Sequence, residues 1–181
     1  VEKDDERMSA LVENAMAIDG PEGTLPTLAE ATAFVWAEAD LLDRLDYKPW
    51  LKLWTDTGMY IVPTERKPAD YAEVLNIVYD DQVMREARAK RLLSGFSMSS
   101  APPARTVRTV SRFVVTCAGP GFIELRAAQM LAEYKYGHMR FLPADVTYRL
   151  VRGPDGVLLI DEKVVTLINA EDYQFGIGYL L

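Results

Sequence analysis

Apolar positions along this chain follow two different rhythms. Between Leu28 and Leu45 they recur at Leu28, Ala31, Phe34, Val35, Leu41, Leu42 and Leu45, the spacing of one helix face. Thr27-Leu28-Ala29-Glu30, just after Pro26, is a capping box: the threonine side chain can bond the N3 amide and Glu30 can reach back to the cap. This predicts a helix from Leu28 to about Leu45, then a short amphipathic helix over Pro49 to Leu53. Past Gly58 the rhythm becomes strand-like. Met59 to Val62 reads as a strand stopped by Pro63, and Thr64 to Tyr71 as a loop. Val74 to Tyr79 reads as a second strand. Asp80 or Asp81 can cap a helix running to about Leu93, with Val83, Ala87 and Leu92 inward and Arg85, Arg88, Lys90 and Arg91 outward. Ser94 to Ala104 is a Ser/Pro loop.

The last third is strand after strand. Val107 to Thr116 is β-branched and ends at Gly119-Pro120-Gly121. Ile123, Leu125 and Ala127 alternate with Glu124 and Arg126, in a run that can extend to Tyr136. Val146, Tyr148 and Leu150 alternate with Thr147 and Arg149. Gly153-Pro154-Asp155-Gly156 is a hairpin turn by composition, and Val157 to Leu167 is another long strand. Gly176-Ile177-Gly178 reads as a flexible or bulged tail strand. Helices first and a meander of strands afterwards is α+β order, not βαβ alternation. The expected architecture is helices packed on a strongly curved, mostly antiparallel sheet, forming a cone with an interior pocket. Its length of 181 residues fits one such domain over 24–181. Residues 1–23 form an N-terminal arm or a helix, since Met8, Leu11, Val12, Ala15 and Met16 also keep helical spacing.

Charge and rare residues narrow the function. Twenty basic against 27 acidic residues leave a net charge of −7, which argues against nucleic-acid binding through a basic surface. The longest uncharged stretch, Leu92 to Ala104, is polar and proline-containing, so no membrane span is expected. No signal-like segment is visible, and a lone cysteine argues for the cytoplasm. One cysteine, Cys117, and one histidine, His138, cannot supply zinc, a Rieske cluster or facial-triad iron. Cys117 sits in an apolar strand and reads as a buried structural thiol. His138 follows Gly137 near a strand end and reads as a surface or interface residue. Asp80-Asp81 reads as helix capping rather than a cation site. No P-loop, GxSxG or GxGxxG is present.

Two further readings concern function. A cone can run acid–base chemistry with one buried carboxylate and one tyrosine, because burial raises a carboxyl pKa. Asp43, Tyr60, Tyr79, Asp80, His138 and Tyr148 are the available polar groups, and no spacing singles out a pair. Arg105, Arg108 and Arg112 lie in one segment just after Pro102-Pro103. Guanidinium forks suit interface carboxylates, so these three are the expected subunit-interface residues; no catalytic, cofactor-binding or metal residue is assigned.

Five segments, in order, resemble the β (small) subunit of Rieske-type aromatic-ring-hydroxylating dioxygenases. They are Glu38-Ala39-Asp40-Leu41-Leu42-Asp43 with Tyr47-Lys48-Pro49-Trp50-Leu51; Met59-Tyr60-Ile61-Val62-Pro63; Ile77-Val78-Tyr79-Asp80-Asp81 with Arg85 and Arg91-Leu92; Pro102-Pro103-Ala104-Arg105-Thr106 with Val110-Ser111; and Lys163-Val164-Val165 with Leu167-Ile168-Asn169. The chain departs from the family where many members carry a histidine and an asparagine; Arg108 and Arg112 stand there. The resemblance covers about Leu28 to Leu181. It implies a cystatin-like (nuclear-transport-factor-2-like) cone and a mainly structural subunit, with no cofactor of its own. It further implies a self-trimer within an α3β3 hexamer. The larger α subunit of that hexamer carries a Rieske [2Fe-2S] cluster and mononuclear Fe(II), and inserts O₂ into aromatic compounds with NAD(P)H-derived electrons. The residues alone leave two rivals open: a stand-alone cone-fold isomerase or dehydratase, and a small-molecule binding module.

Overall fold

The computed structural model describes residues 25–94, 102–174 and 176–181. The expected arm or helix over 1–23 and most of the Ser94–Ala104 loop lie outside the described residues. Helix α1 spans Leu28–Asp43 and starts at the predicted capping box. The Glu30 amide donates to Thr27 Oγ1 at 3.2 Å, and the Thr27 amide donates to Glu30 Oε2 at 2.6 Å. Arg152 Nη2 lies 2.7 Å from Glu30 Oε1, so the same carboxylate also ties the helix start to the sheet. The other end is tied by Asp43, which accepts from Thr106 Oγ1 at 2.7 Å and from the Arg108 amide at 2.8 Å. Both ends of α1 are therefore fixed by side chains that sequence periodicity alone does not pair.

A one-turn helix, α2 (Tyr47–Leu51), carries the fully buried Trp50. Strand β1 (Trp54–Pro63) follows, then a 3₁₀ turn at Tyr71–Glu73, β2 (Asn76–Asp80) and helix α3 (Gln82–Leu93). Four more strands close the fold: β3 (Arg105–Gly119), β4 (Phe122–Lys135), β5 (His138–Arg152) and β6 (Leu158–Leu167). They form one open sheet in the order β2-β1-β6-β5-β4-β3. Every pairing is antiparallel except β1 with β6. Phe34, Val35, Leu41 and Leu42 of α1 share one apolar core with inward residues of the sheet, including Ile123, Leu125, Val146, Leu150 and Val165. Each such side chain contributes roughly 1.5–3 kcal/mol on full burial. Gly58 permits the parallel crossing, because a Cβ there would stand 2.8 Å from the Ile160 carbonyl oxygen.

Three expectations are corrected. In α3 the inward positions are Arg85 and Ala89, whereas Val83 and Ala87 are exposed. Asp81 is the cap, accepting from the Met84 amide at 2.9 Å, while Asp80 is buried and receives Arg88 Nε at 2.5 Å and Nη2 at 2.9 Å. Arg85 takes an inward place because its guanidinium lies 4.3 Å from the Trp54 ring centroid and donates to the carbonyls of Gly58 and Thr55. Cys117 is exposed, because the second half of β3 turns both faces to solvent. Gly176-Ile177-Gly178 belongs to no strand; it leads the chain into the cone.

Candidate functional site

Two features stand out: a polar cluster inside the cone and an apolar face outside it. The cluster centres on Glu38, one turn along α1 from Phe34. Its Oε1 accepts from Lys163 Nζ at 2.8 Å and from Trp50 Nε1 at 3.0 Å, and its Oε2 from Tyr148 Oη at 2.8 Å. Glu38 and Lys163 are each only 1% exposed. Burial pushes the Lys163 ammonium down from its ordinary pKa, opposed by the Glu38 charge. Burial and then that same charge push the Tyr148 phenol well up, so Tyr148 stays a neutral donor. Burial likewise raises Tyr47 to about 12.

A buried carboxylate and a buried tyrosine are the parts of a pocket acid–base pair. Here the remaining bonds go to the chain itself. Lys163 Nζ donates to the Leu181 main-chain oxygen at 2.9 Å. Tyr60 Oη donates to that oxygen at 3.2 Å and accepts from the Leu181 amide at 2.9 Å. Arg108 Nη2 donates to the Leu180 oxygen at 2.9 Å. Nearer the rim, Tyr179 Oη donates to Glu133 Oε2 at 2.6 Å, and Arg140 Nε donates to that oxygen at 2.9 Å.

The outer face is built by alternation. Cross-strand partners Val107–Ala132–Phe141, Thr109–Met130–Pro143 and Arg105–Tyr134–Met139 form three adjoining rows on β3, β4 and β5. Val107, Met130, Tyr134, Met139 and Phe141 are exposed, Phe141 to 62%. A shallow cleft of about 400 Å³ opens there, lined by Arg105, Thr106, Val107, Ala132, Tyr134 and Met139. Large contiguous apolar patches on a protein surface are typical of contact sites.

The three expected interface arginines do not share one face. Arg105 is on the outer face, its guanidinium 4.7 Å from the Tyr134 ring centroid. Arg108 points inward and is 7% exposed, with Nε 3.3 Å from Asp43. A spacing of three in a strand puts 105 and 108 on opposite sides. Arg112 is exposed, takes φ +56° where the β3–β4 register shifts, and pairs with Asp145 at 2.8 Å.

A family model described as "Ring hydroxylating beta subunit" matches residues 37–171. The chain belongs to this family. The small oxygenase component of the p-cumate 2,3-dioxygenase system of Pseudomonas putida is 31% identical over 139 residues, covering 76% of this chain and 77% of that one. The beta subunit of benzoate 1,2-dioxygenase from Burkholderia mallei superimposes with a TM-score of 0.70 at 22% identity, over 85% of this chain and 97% of that one. A naphthalene 1,2-dioxygenase with indole in its active site gives 0.65 at 20%, over 76% and 77%. The cystatin-like α+β cone expected for the family is the fold observed.

As a beta subunit of an aromatic-ring-hydroxylating dioxygenase, this chain is the small, non-catalytic part of an oxidoreductase. Among the described residues no three His, Cys, Asp or Glu side chains gather as a metal site requires. The residues of this beta subunit do not fit either iron centre. Cys117 pairs across from Glu124 and His138 from Lys135, at opposite ends of β4. His138 and Tyr79 are exposed, and Asp43 is committed to Thr106 and Arg108. No described helix is long and apolar enough to cross a membrane.

Sequence reasoning missed Glu38 and Lys163 as partners. The signal was present in each: a charged residue at an inward position of an apolar helix face, and a lysine directly before the apolar Val164-Val165 pair of β6. A buried charge needs a partner, so two such residues in one chain are candidates for each other.

Proposed function

We propose that this beta subunit is the assembly element of an α3β3 oxygenase, and that its outer β3–β4–β5 face docks a second copy of the chain around a threefold axis. The observation that carries this reading is the exposed group Val107, Met130, Tyr134, Met139 and Phe141, with Arg105 at its side. The net charge of −7 supplies carboxylates on the neighbouring copy for Arg105 and Arg112. The larger α subunit holds the Rieske cluster and the mononuclear iron, receives electrons that originate in NAD(P)H, and contains the aromatic substrate site. The complex works in the cytoplasm, which suits a chain whose single thiol is exposed.

Sedimentation of the isolated chain tests this. The wild type should sediment at about three times 20.3 kDa. Val107→Ser with Phe141→Ser should shift it to the monomer at micromolar concentration, and should reduce co-purification with a co-expressed α subunit. A doubly substituted chain that stays trimeric across a wide dilution series would place the contact elsewhere.

A further inference from the structure

The segment Tyr179–Leu181 occupies the cone as an extended guest. It belongs to no helix or strand, yet Leu180 and Leu181 are each 2% exposed. The bonds that hold its main chain come from side chains on three separate strands. Arg108 of β3 engages Leu180; Tyr60 of β1 and Lys163 of β6 engage Leu181. Tyr179 adds a bond to Glu133, and Arg140, which also holds Glu133, reaches the Gly176 carbonyl at 3.4 Å.

These holding residues alternate, one for one, with the outer apolar face. Arg108 lies between Val107 and Thr109, Glu133 between Ala132 and Tyr134, and Arg140 between Met139 and Phe141. Successive side chains of a strand point to opposite sides, so each inward bond to the tail fixes the backbone between two outward contact residues. Among the described residues, strand β3 is also the last in the sheet order, with pairing on one side only. Its first half is pinned from within by Arg108 to the tail and by Asp43 to α1.

We propose that Tyr179–Leu181 is a latch: seated in the cone, it sets the positions of β3, β4 and β5 that the outer face needs to dock another subunit. The inference rests on reading that face as the docking surface. Withdrawal of the segment removes its bonds to Arg108, Glu133 and Arg140 together and loosens three adjoining strands at the rim, while the α1 core below keeps its packing.

The test uses the full chain carrying Leu180→Ser and Leu181→Ser, which removes the apolar anchors and leaves the Glu38–Lys163 and Asp43–Arg108 pairs intact. Hydrogen exchange across 176–181 should rise at least 100-fold, and exchange across 105–110 and 130–142 should rise with it. The dissociation constant for self-association should weaken at least 10-fold, while exchange in α1 stays within a few-fold. Tyr179→Phe, which removes one hydroxyl, is a milder second variant and should move the same quantities less. Loosened tail exchange with unchanged self-association would overturn the latch, as would tail exchange that does not respond. The Val107→Ser/Phe141→Ser chain separates this from failure of the docking surface: it should lose association with its tail still protected. If it keeps its association, the docking surface is wrong.

Discussion

Replacing Lys163 with methionine isolates the most buried charge pair among the described residues. Methionine keeps most of the apolar stem and deletes the ammonium, which lies 2.8 Å from Glu38 with both side chains 1% exposed. Removing one member of a buried ion pair costs about 3–5 kcal/mol, because the other charge is left desolvated. Glu38 keeps two donors, Trp50 Nε1 and Tyr148 Oη, so the cost should fall at the lower end, about 3 kcal/mol. With a urea slope of about 2 kcal/mol per molar, the midpoint drops by roughly 1.5 M. Tryptophan fluorescence follows the transition directly, since Trp50 bonds the affected carboxylate and lies 5.3 Å from Trp54, centroid to centroid. Both proteins are compared at one concentration, so that association contributes equally. The double variant Lys163→Met/Glu38→Gln should recover at least half the loss, since no net charge stays buried. A midpoint shift under about 0.3 M would refute the reasoning, and so would a double variant whose cost equals the sum of the two singles.

Two further outcomes are expected. Burial alone would raise the Glu30 pKa, but hydrogen bonds from Arg152 and Thr27 outweigh it and hold the carboxyl below 4.5. The unfolded chain therefore protonates first as pH falls, and the stabilisation from Glu30, complete above about pH 5, disappears as pH drops through the folded value. Glu30→Gln should flatten the acid limb of a stability–pH curve below pH 4.5; an acid limb superposing on the wild type would contradict the assignment. Cys117 should react with a thiol reagent in the native isolated chain within minutes and without denaturant. Reaction only after unfolding would place the residue indoors.

Local chemistry was the legible part of this chain. Thr27 and Glu30 mark the start of α1 because capping needs only residues three apart, and Asp81 marks the start of α3 for the same reason. The Gly153–Gly156 turn and the alternation of β4 and β5 are equally short-range. What escaped depends on distant partners. Arg85 is inward only because Trp54, thirty-one positions earlier, offers its ring, and Arg108 only because Leu180 and Asp43 meet it inside. Cys117 was misplaced by composition: its strand is β-branched, but from Val114 to Ala118 every residue is exposed. The family resemblance supplied what periodicity could not, the role of the whole chain.

The two register shifts of β3, at Ser111/Val114 and at Val115/Cys117, bear on how the protein stays discrete. A sheet's end strand offers a free row of amides and carbonyls to any passing chain, and Val114 and Val115 there are exposed. An intruding strand that zips along fifteen residues would start a fibril. Bulges break that row into short, differently twisted pieces, and the left-handed turn at Arg112 puts a charge at the first break. The longest uninterrupted ladder is Arg105–Ser111. Such an edge disfavours stacking without limit and leaves face-to-face contact, which can close on itself, as the better geometry for association.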